Sequence, residues 1–153
     1  MSGAQIRRAD AADLDALAAL RRAWVEEQAG GEVDDPRYDE AFSAWFAREH
    51  EQRVTWLALV DDEPVGMLNV LVFTRMPRPG RPPSHWAYLA NFFVRAAHRR
   101  SGVGSRLLAA CTEYADARDF ARIVLSPSEA SRSLYQRCGF GPADSLLVRP
   151  GPD

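Results

Sequence analysis

The most informative segment of the chain, residues 91–108, reads NFFVRAAHRRSGVGSRLL. An apolar run that ends at Val94 predicts a buried strand, and a turn containing Gly102 and Gly104 follows it. The apolar spacing after Ser105 predicts an amphipathic helix. The segment therefore reads as a strand, a glycine-containing turn and a helix.

This turn favours phosphate binding. Its glycines allow close approach of the backbone to a ligand. The start of the helix leaves N–H groups without intrahelical partners at the positive end of the helix dipole, and Arg99 and Arg100 add charge. From these residues alone, a tight turn without a ligand is an equal explanation. A dinucleotide fingerprint would need glycine at Leu107, and a nucleoside triphosphate loop would need a lysine, which the chain lacks.

The length and composition predict one globular domain over residues 1–153. The chain is 46% hydrophobic and 26% charged, and its 19 basic and 21 acidic residues give a net charge of −2. We expect no nucleic-acid partner without a basic excess, and no membrane partner without an apolar run of about 18 residues. All basic residues are arginine, which excludes lysine chemistry. The three histidines show no metal-ligand spacing with each other or with cysteine, so we expect no metal site. We expect Cys111 and Cys138 to be reduced thiols in a cytoplasmic protein.

Outward from the central segment, the pattern alternates strands and helices. Asp10 and Asp13 form a capping-box pattern before the first helix, and a stripe from Tyr38 to His50 predicts a second helix. The Pro- and Arg-rich segment 74–86 predicts a long loop, either a lid or a polyproline ligand. The remaining predicted elements are strands at 6–9, 53–60, 65–73, 87–94 and 121–125, a short helix at 129–138, and a final strand or two within 140–148.

Two motifs give the chain a family resemblance. The sequence RRSGVG at 99–104 resembles the Gln/Arg-x-x-Gly-x-Gly/Ala pyrophosphate loop of the GNAT superfamily of acyl-CoA-dependent N-acyltransferases. Residues 130–140, ASRSLYQRCGF, resemble its second signature, in which Leu-Tyr and Gly-Phe are separated by three residues. The order of the elements over 6–148 is also similar. The resemblance implies an α+β fold, a single-domain central mixed twisted sheet flanked by helices and splayed between the fourth and fifth strands.

The resemblance also implies acetyl-CoA as cofactor, inserted between those two strands. A backbone N–H near Phe93 would bind the thioester carbonyl. Tyr135 would protonate the departing thiolate, although its helical pattern alone favours a core aromatic. A water held by Asn91 or Tyr88, or the carboxylate of Glu129, would serve as base, and none is assigned. The expected cofactor-binding residues are Phe92, Phe93, Val94, Arg99, Arg100, Ser101, Gly102, Val103, Gly104 and Ser105.

The implied reaction is N-acetylation of a primary amine of a small molecule, by direct attack in a ternary complex. An acidic group near the junction of the first two helices would favour a cationic amine there, with the 74–86 loop facing the same groove. An exposed polar loop explains that group equally well. An acyl-CoA sensor without catalysis and a protein N-terminal or lysine acetyltransferase remain as alternatives, and homodimer formation stays open. The acidic group comprises Glu26, Glu27, Glu32, Asp34 and Asp35.

Overall fold

A computed structural model describes residues 3–152 as an open five-stranded sheet between two layers of helices. The strands are β1 (Gln5–Arg8), β2 (Arg53–Val60), β3 (Glu63–Thr74), β4 (His85–Val94) and β5 (Ile123–Val124). The helices are α1 (Leu14–Ala29), α2 (Tyr38–Glu49), α3 (Val103–Ala117) and α4 (Arg132–Arg137). The strand order is β1-β2-β3-β4-β5; β1 to β4 are antiparallel neighbours and β5 is parallel to β4. The predicted α+β fold with a mixed sheet is confirmed.

The capping box before α1 is present as predicted. The Asp10 side chain accepts a hydrogen bond from the Ala12 N–H, and the Asp13 carboxylate accepts one from the Asp10 N–H. Arg7 adds two hydrogen bonds of 2.8 Å to Asp13. The hydrogen bonds from Arg7 hold the pKa of the Asp13 carboxyl below its usual range. This cluster joins the end of β1 to the start of α1.

The two faces of the sheet carry separate cores. Alternate residues of β2 point to opposite sides, so that Trp56 packs in the core beneath α3 and Leu57 in the core beneath α1. Leu107 and Leu108 of α3 are fully buried in the first core. Leu20 of α1 is fully buried in the second core. Phe42 and Phe46 of α2 pack against this core.

A β-bulge interrupts β4 at Ala90. Asn91 pairs with Asn69 of β3, but Leu89 pairs with the next residue, Val70, and Ala90 is left between them. The bulge breaks the alternation of side chains along β4. Leu89 and Phe92 therefore both lie on the α3 side, although they are three positions apart.

The sheet opens between β4 and β5. These two strands pair only through Ala87 with Ile123 and Tyr88 with Val124, so β4 has no partner on that side from Leu89 onward within residues 3–152. The opening is the splay that the family resemblance implied.

Several predicted elements differ from the structure. The described chain contains no strand within 140–148; Pro142 lacks an N–H to donate, and Leu147 and Val148 are exposed. The strand at 121–125 is shortened to β5, and the helix at 129–138 to α4. The strand predicted to be buried, 87–94, instead mixes buried and half-buried positions.

Candidate active site

The first candidate cavity occupies the opening between β4 and β5. Its volume is about 610 Å³, and its walls come from β4, the start of α3 and α4. Three predicted residues, Ser101, Val103 and Asn91, do not line it; Val103 is buried in the core and Asn91 lies at a second cavity. The structure gathers the other predicted site residues around this cavity: Phe92, Phe93, Val94, Arg99, Arg100, Gly102, Gly104, Ser105 and Tyr135.

The start of α3 presents unpaired backbone donors to this cavity. The first intrahelical bond runs from the Arg106 N–H to the Gly102 carbonyl, so the N–H groups of the three residues before Arg106 have no intrahelical acceptor. Gly102 caps the helix with φ of 87° and has no side chain to occupy those donors. No carboxylate occurs among the described residues that line the cavity. The surroundings therefore fit a pyrophosphate group.

The two arginines of the turn have different surroundings. Arg99 donates two hydrogen bonds of 2.6 Å to the carboxylate of Glu27 and one of 2.9 Å to the carbonyl of Val94. The hydrogen bonds from Arg99 lower the pKa of the Glu27 carboxyl. Arg100, held at φ of 60°, forms no ion pair with any residue of 3–152. Of these two arginines, only Arg100 therefore has a guanidinium without a carboxylate partner among residues 3–152.

Tyr135 is a buried residue at the wall of the cavity. Its ring makes edge contacts with Phe92 and Phe140, at centroid distances of 6.0 and 5.6 Å. Gly139, at φ of 94°, turns the chain so that the Phe140 N–H donates to the Tyr135 carbonyl, which explains the spacing of the second motif. Burial raises the pKa of the Tyr135 phenol to about 12, with a smaller contribution from Cys111. The phenol therefore carries its proton at neutral pH.

The free edge of β4 identifies which backbone donors face the opening. The Arg95 N–H donates to the Val65 carbonyl, which makes Arg95 and Val65 a hydrogen-bonded pair of the β3–β4 ladder. Such pairs alternate along antiparallel strands, so the N–H of Phe93 faces β3, whereas those of Phe92 and Val94 face the opening. The donor expected near Phe93 is therefore narrowed to the N–H groups of Phe92 and Val94. The Phe93 ring stacks on Trp24 of α1 at 5.8 Å.

A second cavity of about 620 Å³ lies between α1, α2 and the sheet. Its floor carries a buried polar network: the Arg53 guanidinium donates to the Asn69 amide oxygen at 2.7 Å, and the Asn69 amide nitrogen donates to the Thr55 hydroxyl at 2.6 Å. Asn91 lines this cavity, and Ala90 lines both cavities. The bulge therefore marks the point where the two cavities meet.

The acidic residues expected beside the acceptor groove do not form part of the second cavity. Glu27 is paired with Arg99, and Glu26 accepts hydrogen bonds from Arg22 and from the Val33 N–H. None of the five acidic residues, and no residue of the 74–86 loop, lines the second cavity. These side chains meet partners of their own or solvent, in keeping with the alternative of an exposed polar loop.

Two of the candidates for the base also lie elsewhere. Glu129 is exposed and pairs with Arg132 at 3.8 Å, and neither Glu129 nor Tyr88 lines a described cavity. Sequence reasoning missed the network of Arg53, Asn69 and Thr55, because residues 14 and 16 positions apart meet only through the β2–β3 register.

No helix within residues 3–152 combines the length and apolarity needed to cross a bilayer. In the same residues, no three or more His, Cys, Asp or Glu side chains gather in a way that could hold a metal ion.

Comparison with known proteins identifies the family. The model of the Acetyltransferase (GNAT) family matches residues 17–140, which is most of the chain. The protein therefore belongs to this family of acyltransferases.

Solved structures share the fold over nearly the whole chain. One is a predicted acetyltransferase from Clostridium acetobutylicum with acetyl-CoA, 20% identical with a TM-score of 0.75, covering 97% of this chain and 96% of that one. A transcriptional regulator from Bacillus halodurans is 21% identical with a TM-score of 0.75, covering 97% and 100%. The aminoglycoside acetyltransferase AAC(6')-Iy, solved with a bisubstrate analogue, is 18% identical with a TM-score of 0.73, covering 99% and 100%. At these identities the similarity describes the fold.

Proposed function

We propose that the protein transfers the acetyl group of acetyl-CoA to a primary amine of a small molecule, by direct attack in a ternary complex. The observation that carries this proposal is the meeting of two cavities at Ala90. One cavity fits an anionic donor and the other lies behind the same strand, so a donor carbonyl and an acceptor nitrogen can approach each other at the bulge. Similar folds have been solved with acetyl-CoA and with a bisubstrate analogue, in keeping with this assignment.

In this proposal the first cavity holds acetyl-CoA. The free N–H groups at the start of α3, together with Arg100, bind its pyrophosphate. The N–H groups of Phe92 and Val94 lie on the free edge of β4, where pantetheine can add as a strand-like partner. One of these N–H groups donates to the thioester carbonyl and stabilises the negative charge that develops on it. Ser101 and Val103 contribute backbone atoms only.

The chemical step forms one C–N bond and breaks one C–S bond. The neutral amine attacks the thioester carbonyl carbon, and the sulfur departs with the electron pair of the C–S bond. Tyr135 donates its proton to that sulfur, which gives free CoA. The nitrogen loses one proton to water, and the phenolate regains one from solvent. The high pKa of Tyr135 keeps the phenol protonated before each turnover.

Asn91 belongs to the acceptor side of this reaction. It lines the second cavity and faces Asn69 across the ladder, one residue beyond the bulge. We assign to its amide the positioning of the amine, or of a water that takes up the proton. An amide does not titrate near neutral pH, so Asn91 is not itself the base.

The test uses the purified protein with acetyl-CoA and a panel of primary amines. Release of free thiol and the mass of the acetylated product are both recorded, and the melting temperature is measured with and without acetyl-CoA. We expect acetyl-CoA to raise the melting temperature by binding only the native state. Absence of that shift at saturation contradicts the donor assignment. A shift without transfer to any amine, free or peptide-borne, favours the non-catalytic sensor instead.

A further inference from the structure

Resting on the proposed acetyl transfer, we propose that the acceptor is an amine that also bears a carboxylate and an aromatic or large apolar group. An aromatic amino acid has this chemistry. The lining of the second cavity carries the inference, because it combines an aromatic wall with guanidinium groups and has little negative charge.

The aromatic wall comes from one face of α2. Four aromatic residues at helical spacing line the cavity: Tyr38, Phe42, Trp45 and Phe46. Met67 of β3 also lines it. The ring centroids of Phe42 and Trp45 lie 5.3 Å apart. The Tyr38 hydroxyl donates a hydrogen bond of 2.8 Å to the Ala18 carbonyl of α1. These contacts hold the rings in place, so the wall is preformed for an apolar or aromatic body.

Arg21 supplies a positive charge that pairs with no carboxylate among residues 3–152. It lines the cavity, is half-buried, and lies over the Trp24 ring at 4.7 Å. Its charge reaches the Tyr38 phenol, where it opposes the effect of burial on the pKa. The neighbouring Arg22 is already bonded to Glu26 and to the Val33 carbonyl, which leaves Arg21 as the candidate partner for a ligand carboxylate.

Arg53 adds a second guanidinium at the floor. One of its terminal nitrogens binds Asn69 and the other binds Glu49 at 3.3 Å, and its buried Nε–H has no hydrogen-bond partner in the described chain. Because Glu49 pairs with this guanidinium, the unpaired positive charge beside the cavity is that of Arg21. Arg8, although it borders the cavity, places its guanidinium over Tyr114 at 5.1 Å, on the α3 side of the sheet.

Negative charge in the lining is limited to one residue. Among the described residues around the cavity, only Asp10 carries a carboxylate, and one of its oxygens accepts the Ala12 N–H of the capping box. One carboxylate suits the single ammonium or amine of an amino acid. A polycationic acceptor would meet the unpaired charge of Arg21 here, with a single carboxylate in the lining to bind it, and is disfavoured by charge repulsion.

The experiment compares four acceptors at saturating acetyl-CoA. L-phenylalanine carries both groups, phenethylamine lacks the carboxylate, L-alanine lacks the ring, and kanamycin is a polycation. We expect kcat/KM for phenylalanine to exceed those for the other three by about tenfold or more, since each missing group removes a charged hydrogen bond or a buried ring. Titration calorimetry on the CoA-loaded protein measures phenylalanine binding independently of turnover.

Variants at Arg21 locate the carboxylate. Arg21→Gln should lower kcat/KM for phenylalanine by about 10- to 100-fold, mainly through KM, and change that for phenethylamine by no more than about twofold. Arg21→Lys should recover part of the loss. Arg48→Gln is the matched control, because Arg48 is exposed on α2 and does not line the cavity.

The outcomes separate this inference from the proposed reaction. Acetylation of phenethylamine or kanamycin in preference to phenylalanine overturns the acceptor class and leaves the reaction standing. Equal losses for phenylalanine and phenethylamine in Arg21→Gln, or no phenylalanine binding to the CoA-loaded protein, also overturn it. Absence of acetyl-CoA binding contradicts the proposed reaction itself.

Discussion

The guanidinium of Arg99 faces the carboxylate of Glu27 through two hydrogen bonds of 2.6 Å, and this contact joins the end of α1 to the turn before α3. Residues 72 positions apart are thereby connected at the rim of the first cavity. Because Glu27 already neutralises Arg99, the uncommitted charge of the turn belongs to Arg100.

This difference predicts unequal roles for the two arginines in donor binding. Arg100→Ala should raise the acetyl-CoA dissociation constant by about tenfold and reduce its dependence on salt, because an unpaired cation beside a pyrophosphate is lost. Arg99→Ala should raise it by only about twofold, through loss of the contact with Glu27. Calorimetric titrations at low and high salt measure both effects, and an equal or larger loss in Arg99→Ala would show that Arg99 binds the phosphates directly.

Tyr135→Phe should separate catalysis from packing. The ring contacts with Phe92 and Phe140 survive this change, so the melting temperature and acetyl-CoA affinity should stay the same. Turnover should fall by about 10²-fold or less, because a thiolate needs limited help to depart. Single-turnover measurements isolate the chemical step. Full retention of that rate would make Tyr135 a packing residue.

Alkaline pH should destabilise the fold through two buried groups. Burial raises the pKa of the Cys111 thiol from 9.0 to about 12 and that of the Tyr135 phenol from 10.0 to about 12. The unfolded chain therefore loses these protons first, and the free energy of unfolding falls as the pH rises from about 9 towards 12. Urea midpoints at pH 8, 9.5 and 10.5 should show a shallower decline in Tyr135→Phe than in the wild type. An equal slope would contradict the assigned shift of Tyr135.

Gly66→Ala should destabilise the sheet next to the donor cavity. A Cβ at this position would lie 3.1 Å from the Phe93 carbonyl oxygen, 3.2 Å from a methyl of Leu107 and 3.3 Å from one of Val94. We expect a loss of about 1–3 kcal/mol in the free energy of unfolding, because β4 must shift to admit the methyl group. Gly31→Ala, where a Cβ meets nothing within 4 Å, is the control. Denaturant unfolding of both variants provides the comparison, and equal stabilities would rule out the close approach.

Local sequence was sufficient for the shape of the first cavity's turn. The strand, glycine turn and helix of 91–108 are contiguous, and the unpaired N–H groups at the start of the helix follow from this local order, although the strand finds its hydrogen-bond partners in β3. The Leu-Tyr and Gly-Phe motif is equally local, since Gly139 returns Phe140 onto Tyr135 within one turn. The prediction of a final strand within 140–148 was wrong, because a strand needs the edge of a neighbouring strand to pair with. Apolar residues such as Leu147 do not reveal whether such an edge is present.

The sequence by itself determined the order of the elements, the capping box at Asp10, the glycine turn before α3 and the position of Tyr135, because each depends on neighbours along the chain. Only the tertiary structure decided the lining of the second cavity. The bulge at Ala90 shifts the pairing of β4 by one residue, and with it the face on which Asn91 lies. Long-range contacts then assign Glu27 to Arg99 and leave Arg21 facing the cavity. The positions of charged residues in the sequence could not show this, because whether a charged side chain is free to bind a ligand depends on the opposite charge that the fold places beside it.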